Sequence, residues 1–492
     1  MARIACLLVP DLPVAALRRV APDRTGRPLV LTDAPGAHAR IVAASPEARA
    51  LGVRPGAHTA AQARALAREL IVGRRDAAAE ASTVRALVDV AGSVADRIEL
   101  ADDGGVFLDA EGSTHLVGSE AGLATALVAR AARVGIEVRA AVAGSMVVAR
   151  LAARHGHGTE VVAPRTERGF LAALPIACLE PAPAIAATLA RWGIRTLGDL
   201  AMLPADEVAT RLGADGAALV RMARGEDERP LAPQSFGQVV EEAMTLEWAI
   251  DTVEPLLFVL RGLVEHAIAR LGLASTGCAQ LAVALVLADR TRDVRTIPLV
   301  APTRDVKTLL TCLRVDLEAR PPQAAIARVT VALAPAHVRA TQLGLFAPAG
   351  PAPERLATTL ARLGALCGVG RVGTPVEVDS HRPGDAAVTA FAPPETVTPN
   401  GDAGAACRLA IRALRPPRPL EVFTERDAPC FVRGDGLGGR VVGAAGPWRI
   451  ATEWWDDACL RDYYDLELTD GGIYRCFRDR RSGEWFVDGA YD

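Results

Sequence analysis

Half of this 492-residue chain is hydrophobic, yet it has no uninterrupted run of about 18 apolar residues, so no membrane-spanning helix is expected. The opening MARIACLLVPDLPV is broken by Pro10 and Asp11 too early for a signal peptide, and a cytoplasmic protein is expected. The nine cysteines, spread from Cys6 to Cys476, include no Cys-x-x-Cys pair and no cysteine/histidine cluster. That excludes a disulfide framework and a zinc site, leaves buried reduced thiols, and predicts no metal and no cofactor. A net charge of -3 provides no global basic field, so any nucleic-acid contact has to be local. Lysine is almost missing: Lys307 is the only candidate for a site that needs an ammonium group. Aromatics make up 4% of the chain, and all four tyrosines and four of the six tryptophans follow residue 440, which marks the C-terminal end as a separate unit.

The length allows about three domains. Arg3 to Leu8 suits a buried strand, and Val14 to Val20 a short helix. Pro28 to Thr32, Arg40 to Ala44 and Glu69 to Val72 read as strands, with helices starting near Pro46 and Thr59. The amphipathic helix Ala77 to Asp96 leads into IELADDGGVFLDAEG, Ile98 to Gly112. There alternating apolar residues flank Asp102-Asp103-Gly104-Gly105, the turn chemistry of a β-hairpin. Helix Glu120 to Val134, strand Ile136 to Ala143 and helix Ser145 to His155 follow. Strand, helix, hairpin, helix, strand is a ferredoxin-like order with an insertion after the first helix.

Beyond it, Trp192-Gly193-Ile194 is an apolar-Gly-apolar turn between two helices. A glycine there lets backbone N–H groups approach a phosphate, a sequence-independent DNA contact; a helical hairpin packed only for stability has the same pattern. From Glu241 to Val338, helices Val253 to Leu271 and Asp305 to Ala319 alternate with strands Ala279 to Leu287, Val294 to Pro298 and Ile326 to Leu333. Phe236 to Arg339 holds 11 basic and 11 acidic residues, less positive than a DNA-gripping domain should be. Arg290, Arg292, Arg295 and Arg304 are the candidate phosphate contacts there, or else a charged edge that discourages sheet pairing.

These stretches carry a family resemblance. PEARALGVRPGAHTAAQARAL resembles the fingers of Y-family translesion DNA polymerases, FLDAEG the second strand of their palm hairpin, AGSMVVARLAAR the helix after the palm, and GIRTLGDLAMLPADEVATRLGADGAALVRMARGED their thumb with its helix-hairpin-helix. The resemblance keeps its order over roughly residues 1 to 346. It implies an α+β multidomain fold of Y-family polymerase architecture: a ferredoxin-like palm (1–30 and 76–165), inserted fingers (31–75), a helical thumb (166–232) and an α/β little finger (236–340).

The same resemblance exposes a loss. The family transfers nucleotides with two Mg²⁺ ions held by palm carboxylates. Alignment puts Leu7 at the first-strand Asp, Val9 at a second metal-contacting Asp, and Gly104-Gly105 at the hairpin Asp-Glu pair. Leu12 falls near the aromatic that screens out ribonucleotides, Pro46 replaces the fingers tyrosine and Met146 the helix lysine, while Arg49 survives as a residual nucleotide-site residue. A shifted register that recruits Asp11, Asp102, Asp103 or Asp109 is the alternative, although a one-residue slip would turn the hairpin's apolar face to solvent. An enzyme is therefore not expected; Asp102 and Asp103 read as turn residues.

After the little finger comes TQLGLF. Gln342, Leu343, Gly344, Leu345 and Phe346 match the Q-L-x-L-F peptide by which bacterial polymerases dock on the β sliding clamp, with Leu345 and Phe346 as apolar anchors. Residues 341–382 are read as this motif with a helical extension, 383–405 as a Pro/Ala/Thr/Gly linker, and 406–492 as a small β-rich module of short strands. Its Trp448, Trp454, Trp455, Trp485 and Phe486 are candidate partner contacts, with core packing the equal alternative. GPWR, EWW and WFVDGAYD resemble the ends of the inactive Y-family homologues of bacterial mutasome cassettes. That resemblance implies a non-catalytic adaptor in DNA-damage-induced mutagenesis, with the clamp, an error-prone C-family polymerase, the accessory protein ImuA and DNA as partners. A divergent active polymerase and a clamp-independent DNA-binding module are the two rival readings.

Overall fold

The computed structural model describes residues 3–156, 158–227, 229–337, 353–368, 370–380, 385–389, 391, 410–434, 436–452 and 458–491. The chain divides into two compact units, Met1–Leu366 and Cys367–Asp492. No helix among the described residues is long and apolar enough to cross a membrane.

At the centre of the first unit is a five-stranded sheet in the order Ile98–Leu100, Val106–Asp109, Ile4–Leu8, Arg139–Ala143, Thr159–Val161. Side-chain alternation on these strands feeds two cores. Cys6, Phe107, Ala141 and Ala143 pack with helix Met146–His155 and with Leu171, Leu189, Leu197 and Val220 of the helical region that follows. Ala5, Leu7, Leu108 and Val142 face the other way, onto Leu87 of helix Ala77–Gly92 and onto Leu123 and Leu127 of helix Glu120–Arg133. The insertion after the first helix, Leu12–Val20, folds as a three-stranded sheet of Ile41–Ala44, Leu29–Thr32 and Ile71–Arg74 with two short helices, Pro46–Ala50 and Ala60–Leu66.

The expected α/β region is a four-stranded antiparallel sheet in the order Arg292–Thr303, Thr276–Leu287, Ile326–His337, Val240–Ile250. Helices Val253–Leu273 and Val306–Ala319 pack onto it through Leu256, Leu260, Leu309 and Leu313. Strand Val240–Ile250 was not anticipated from the sequence: its exposed end, with Thr245, Glu247 and Trp248, interrupts the apolar pattern.

Within the second unit, the described residues form longer strands than the short ones expected. Strands Ile411–Glu425, Ala428–Gly434, Leu437–Thr452, Cys459–Leu468, Ile473–Asp479 and Trp485–Tyr491 form a closed antiparallel barrel around Leu420, Val432, Leu466, Leu468, Cys476 and Val487. The first strand contains Pro416, Pro417 and Pro419, and the third contains Pro447 and four glycines, residues that weaken a strand signal. Bulges accommodate most of these prolines: the register shifts between Ala413 and Arg418, and between Ala445 and Trp448.

Candidate functional site

Where strand Ile4–Leu8 ends, a cleft of about 1060 Å³ opens between the central sheet and the insertion. It is lined by Leu8 to Pro13, by the hairpin turn Leu100 to Gly104, by Arg49, Arg75 and Glu80, and by Arg139, Arg154 and Gln234. The turn is tight. The Ala101 N–H donates to the Gly105 carbonyl at 2.8 Å, the Gly104 N–H to the Ala101 carbonyl at 3.0 Å, and the Gly105 N–H to Asp103 Oδ1 at 3.1 Å. Gly104 holds φ +81°, a left-handed conformation that glycine adopts without a Cβ penalty. Asp103 thus has the turn role expected of it.

Most of the carboxylate charge in the cleft is paired off. Asp11, itself left-handed at φ 50°, faces the Arg49 guanidinium across the cleft, with Nη1 at 2.8 Å from Oδ2 and Nη2 on Oδ1. Arg75 clasps Glu80 with two bonds of 2.7 and 2.8 Å. Asp103 Oδ2 lies 3.7 Å from Arg150 and 3.6 Å from Arg154, and Arg154 also bonds Glu180 at 2.6 Å. Behind the turn, burial and the nearby Asp103 carboxylate push the Cys6 thiol up, so it remains a neutral core group.

Three of the four lining carboxylates are therefore neutralised by guanidinium groups. A hydrated Mg²⁺ needs anionic oxygens that are free to converge, and an adjacent guanidinium repels a dication. Among the described residues no group of three or more His, Cys, Asp or Glu could hold a metal ion. The residues present do not fit a two-metal centre.

The predicted positions separate once placed. Val9 and Gly104 line the cleft, whereas the next residue, Gly105, is buried and does not line it. Leu7 does not line it: fully buried and paired with Val106 and Ala140, it points into the core on the opposite face. Strand alternation sends residue 7 away from the cleft, so the expected equivalence of Leu7 with a metal ligand is corrected.

The thumb turn also differs from expectation. Gly193, at φ +79°, caps helix Pro183–Arg191: its N–H donates to the Ala190 carbonyl at 3.1 Å and that of Ile194 to the Leu189 carbonyl at 3.0 Å. At the next helix, Asp199 accepts from the Arg195 and Thr196 N–H groups at 3.2 and 3.0 Å. These amides are satisfied internally; the outward features are the half-exposed Trp192 and Arg211, 5.9 Å over its ring. Of the four candidate phosphate contacts, Arg290, Arg292 and Arg304 are exposed. Arg295 is buried between Asp293 and Asp316, at 2.7 and 3.1 Å, and is a structural ion pair instead.

In the barrel, Trp448 is exposed, whereas Trp485 packs on Tyr464 with centroids 5.0 Å apart and Phe486 stacks on Phe477 at 5.3 Å. Trp454, Trp455 and the whole Gln342 to Phe346 motif lie outside the described residues.

Residues 12–154 match the impB/mucB/samB family. DNA polymerase IV 1 of Mesorhizobium japonicum is 33% identical over 39% of this chain and 44% of its own length. The crystal structure of DinB from Sulfolobus solfataricus covers 68% of this chain and 100% of its own, at 19% identity and a TM-score of 0.41. Protein ImuB of Caulobacter vibrioides is 30% identical over 90% of this chain and 100% of its own length. The chain belongs to the ImuB family. As an ImuB it is a Y-family (UmuC/DinB-like) DNA polymerase homologue.

Within this ImuB-family chain, sequence reasoning missed the arginine side of the cleft. Arg150 and Arg154 recur at i, i+4 on helix Met146–His155, and that spacing was the available signal. It also missed the exposed cross-strand ring pair Phe423 and Phe431, 6.0 Å apart, beside a barrel groove of about 850 Å³.

Proposed function

We propose that this chain is a non-catalytic adaptor of DNA-damage-induced translesion synthesis, which docks on the β sliding clamp and brings an error-prone C-family polymerase, together with ImuA, to DNA in the cytoplasm. The observation that carries the proposal is the cleft: Val9 and Gly104 offer no carboxylate there, and Asp11, Glu80 and Asp103 are engaged by arginines. Full-length similarity to Caulobacter ImuB supports it. Clamp docking rests on Gln342-Leu343-Gly344-Leu345-Phe346. DNA contact rests on Arg290, Arg292, Arg304 and Trp192, and partner contact on Trp448 with its neighbouring tryptophans Trp454 and Trp455.

Primer extension with Mg²⁺ or Mn²⁺ tests the central point: no templated incorporation is expected. Incorporation abolished by Asp102→Ala or Asp103→Ala would establish the rival reading, an active divergent polymerase. One observation favours that rival: Asp102 is exposed in the cleft and, among the described residues, has no ion-pair partner. Clamp pull-down is expected to be lost in a Leu345→Ala/Phe346→Ala double variant, and unchanged capture removes the motif from the proposal.

A further inference from the structure

The α/β region from Val240 is joined to the central sheet by a cluster of buried charges that spans four elements. Glu242, on the first strand of that region, has a side chain 0% exposed, and two arginines grip it. Arg19, from helix Leu12–Val20, donates to both carboxylate oxygens at 2.8 and 2.7 Å, and through Nε to the Val134 carbonyl at 3.0 Å. Arg270, from helix Val253–Leu273, donates to Glu242 at 3.0 Å, to the Glu241 carbonyl at 2.6 Å and to Asp89 of helix Ala77–Gly92 at 2.6 Å. Both arginine side chains are at most 2% exposed. Around the cluster, Ser82 accepts from the Ala243 N–H at 2.9 Å, Asp76 from the Thr245 N–H at 2.8 Å, and Arg24 pairs with Glu247 at 2.8 Å. Ala269 and Leu273 pack onto the core of the central sheet.

The connecting segment is fastened as well. Glu99, buried on the edge strand Ile98–Leu100, accepts from Arg229 and from the Ala232 N–H, and the Gln234 N–H donates to the Ile98 carbonyl at 2.8 Å. A tethered domain that swings has a wet, mostly exposed junction. Here a desolvated carboxylate is bonded from both sides, and it tolerates only the geometry that keeps both arginines in place.

We propose that residues 240–337 and the central sheet form one locked body, with Glu242 as its key, so that the α/β region holds a single orientation whether or not nucleic acid is present. This stands independently of the adaptor reading.

Dyes introduced through unnatural amino acids at the exposed Glu111 and Glu318 of the full chain read the orientation directly. One narrow transfer-efficiency population is expected, unmoved by saturating primer–template duplex. A second population, or a shift on adding duplex, overturns the lock. A protease site inserted between the exposed Gly237 and Gln238 gives a second readout. After native cleavage the two halves should co-elute, and Glu242→Gln should raise the released fraction at least tenfold. Separation of the unsubstituted halves overturns the lock, and equal retention in Glu242→Gln removes the ionic cluster from it. Should Glu242→Gln fail to fold, the dye measurement on the unsubstituted chain decides alone.

Discussion

Two sets of arginine–carboxylate pairs in the N-terminal unit use the same chemistry at opposite depths. Those of the cleft are partly exposed: the Arg49 side chain is 45% exposed and that of its partner Asp11 24%. Those around Glu242 are almost wholly dry. Water screens the first set, so each pair contributes about 0–1 kcal/mol, and what it does is cancel charge where a dication would otherwise be drawn. The second set has given up hydration, and loss of one partner strands a charge. Cleft pairs therefore define what the site cannot bind, while buried pairs define where a domain sits.

Breaking the deep set should have the largest effect. Glu242→Ala leaves Arg19 and Arg270 facing each other in a dry site and is expected to cost about 3–5 kcal/mol, read as a lowered midpoint for the N-terminal unit in chemical denaturation. A midpoint within error of the parent would put the cluster on a par with the cleft.

Acid probes the same place without mutation. Burial, with Arg19 and Arg270 nearby, lowers the His266 imidazole to about 4. A histidine whose folded pKa is depressed stabilises the fold above its ordinary pKa and withdraws that contribution as pH falls. Stability should therefore drop between about pH 6.5 and 4, by on the order of 3 kcal/mol. Asp89, raised chiefly by burial and opposed by Arg270, works against the drop at its acid end. A His266→Gln variant should flatten the pH dependence of the unfolding midpoint; an unchanged slope assigns it elsewhere.

In the cleft, Gly104→Ala forces a Cβ into the left-handed region and within 3.3 Å of Leu12, which is expected to cost about 1–2 kcal/mol. The smallest effect should come from Asp11→Ala, below about 1 kcal/mol in the same denaturation assay. Should Asp11→Ala prove as costly as Glu242→Ala, the distinction between the two sets disappears.

Much of the N-terminal fold was legible in the sequence because its helices and buried strands are strongly periodic: Ala77–Gly92, Met146–His155 and Val306–Ala319 fall within a few residues of the expected ranges. Residues 102 to 105 were recognisable as a turn because acidic residues followed by glycine have few other uses. What escaped notice depends on partners distant in the chain. Nothing local in Arg19 or Glu242 announces a contact across 223 residues, and Arg295 looks the same in sequence whether it faces solvent or Asp316. Leu7 was misplaced by one residue of strand alternation: it faces the core, while its neighbour Leu8 lines the cleft. The length of the barrel strands was underestimated because most of the prolines in the first and third sit at register shifts that a local pattern cannot reveal.

Closure of that barrel carries a consequence for recognition. In a ring of six strands, with Ile411–Glu425 bonded to Trp485–Tyr491, the main-chain donors and acceptors are largely paired around the circumference. Among the described residues, the flanks without a ladder partner are those of Ile411–Pro419 and Val441–Thr452 away from their paired neighbours, so any strand addition is confined to those two stretches. Elsewhere on the ring a visitor meets side chains, among them the outward rings of Phe423, Phe431 and Trp448, and its specificity there follows the shape and charge of that surface instead of a backbone template.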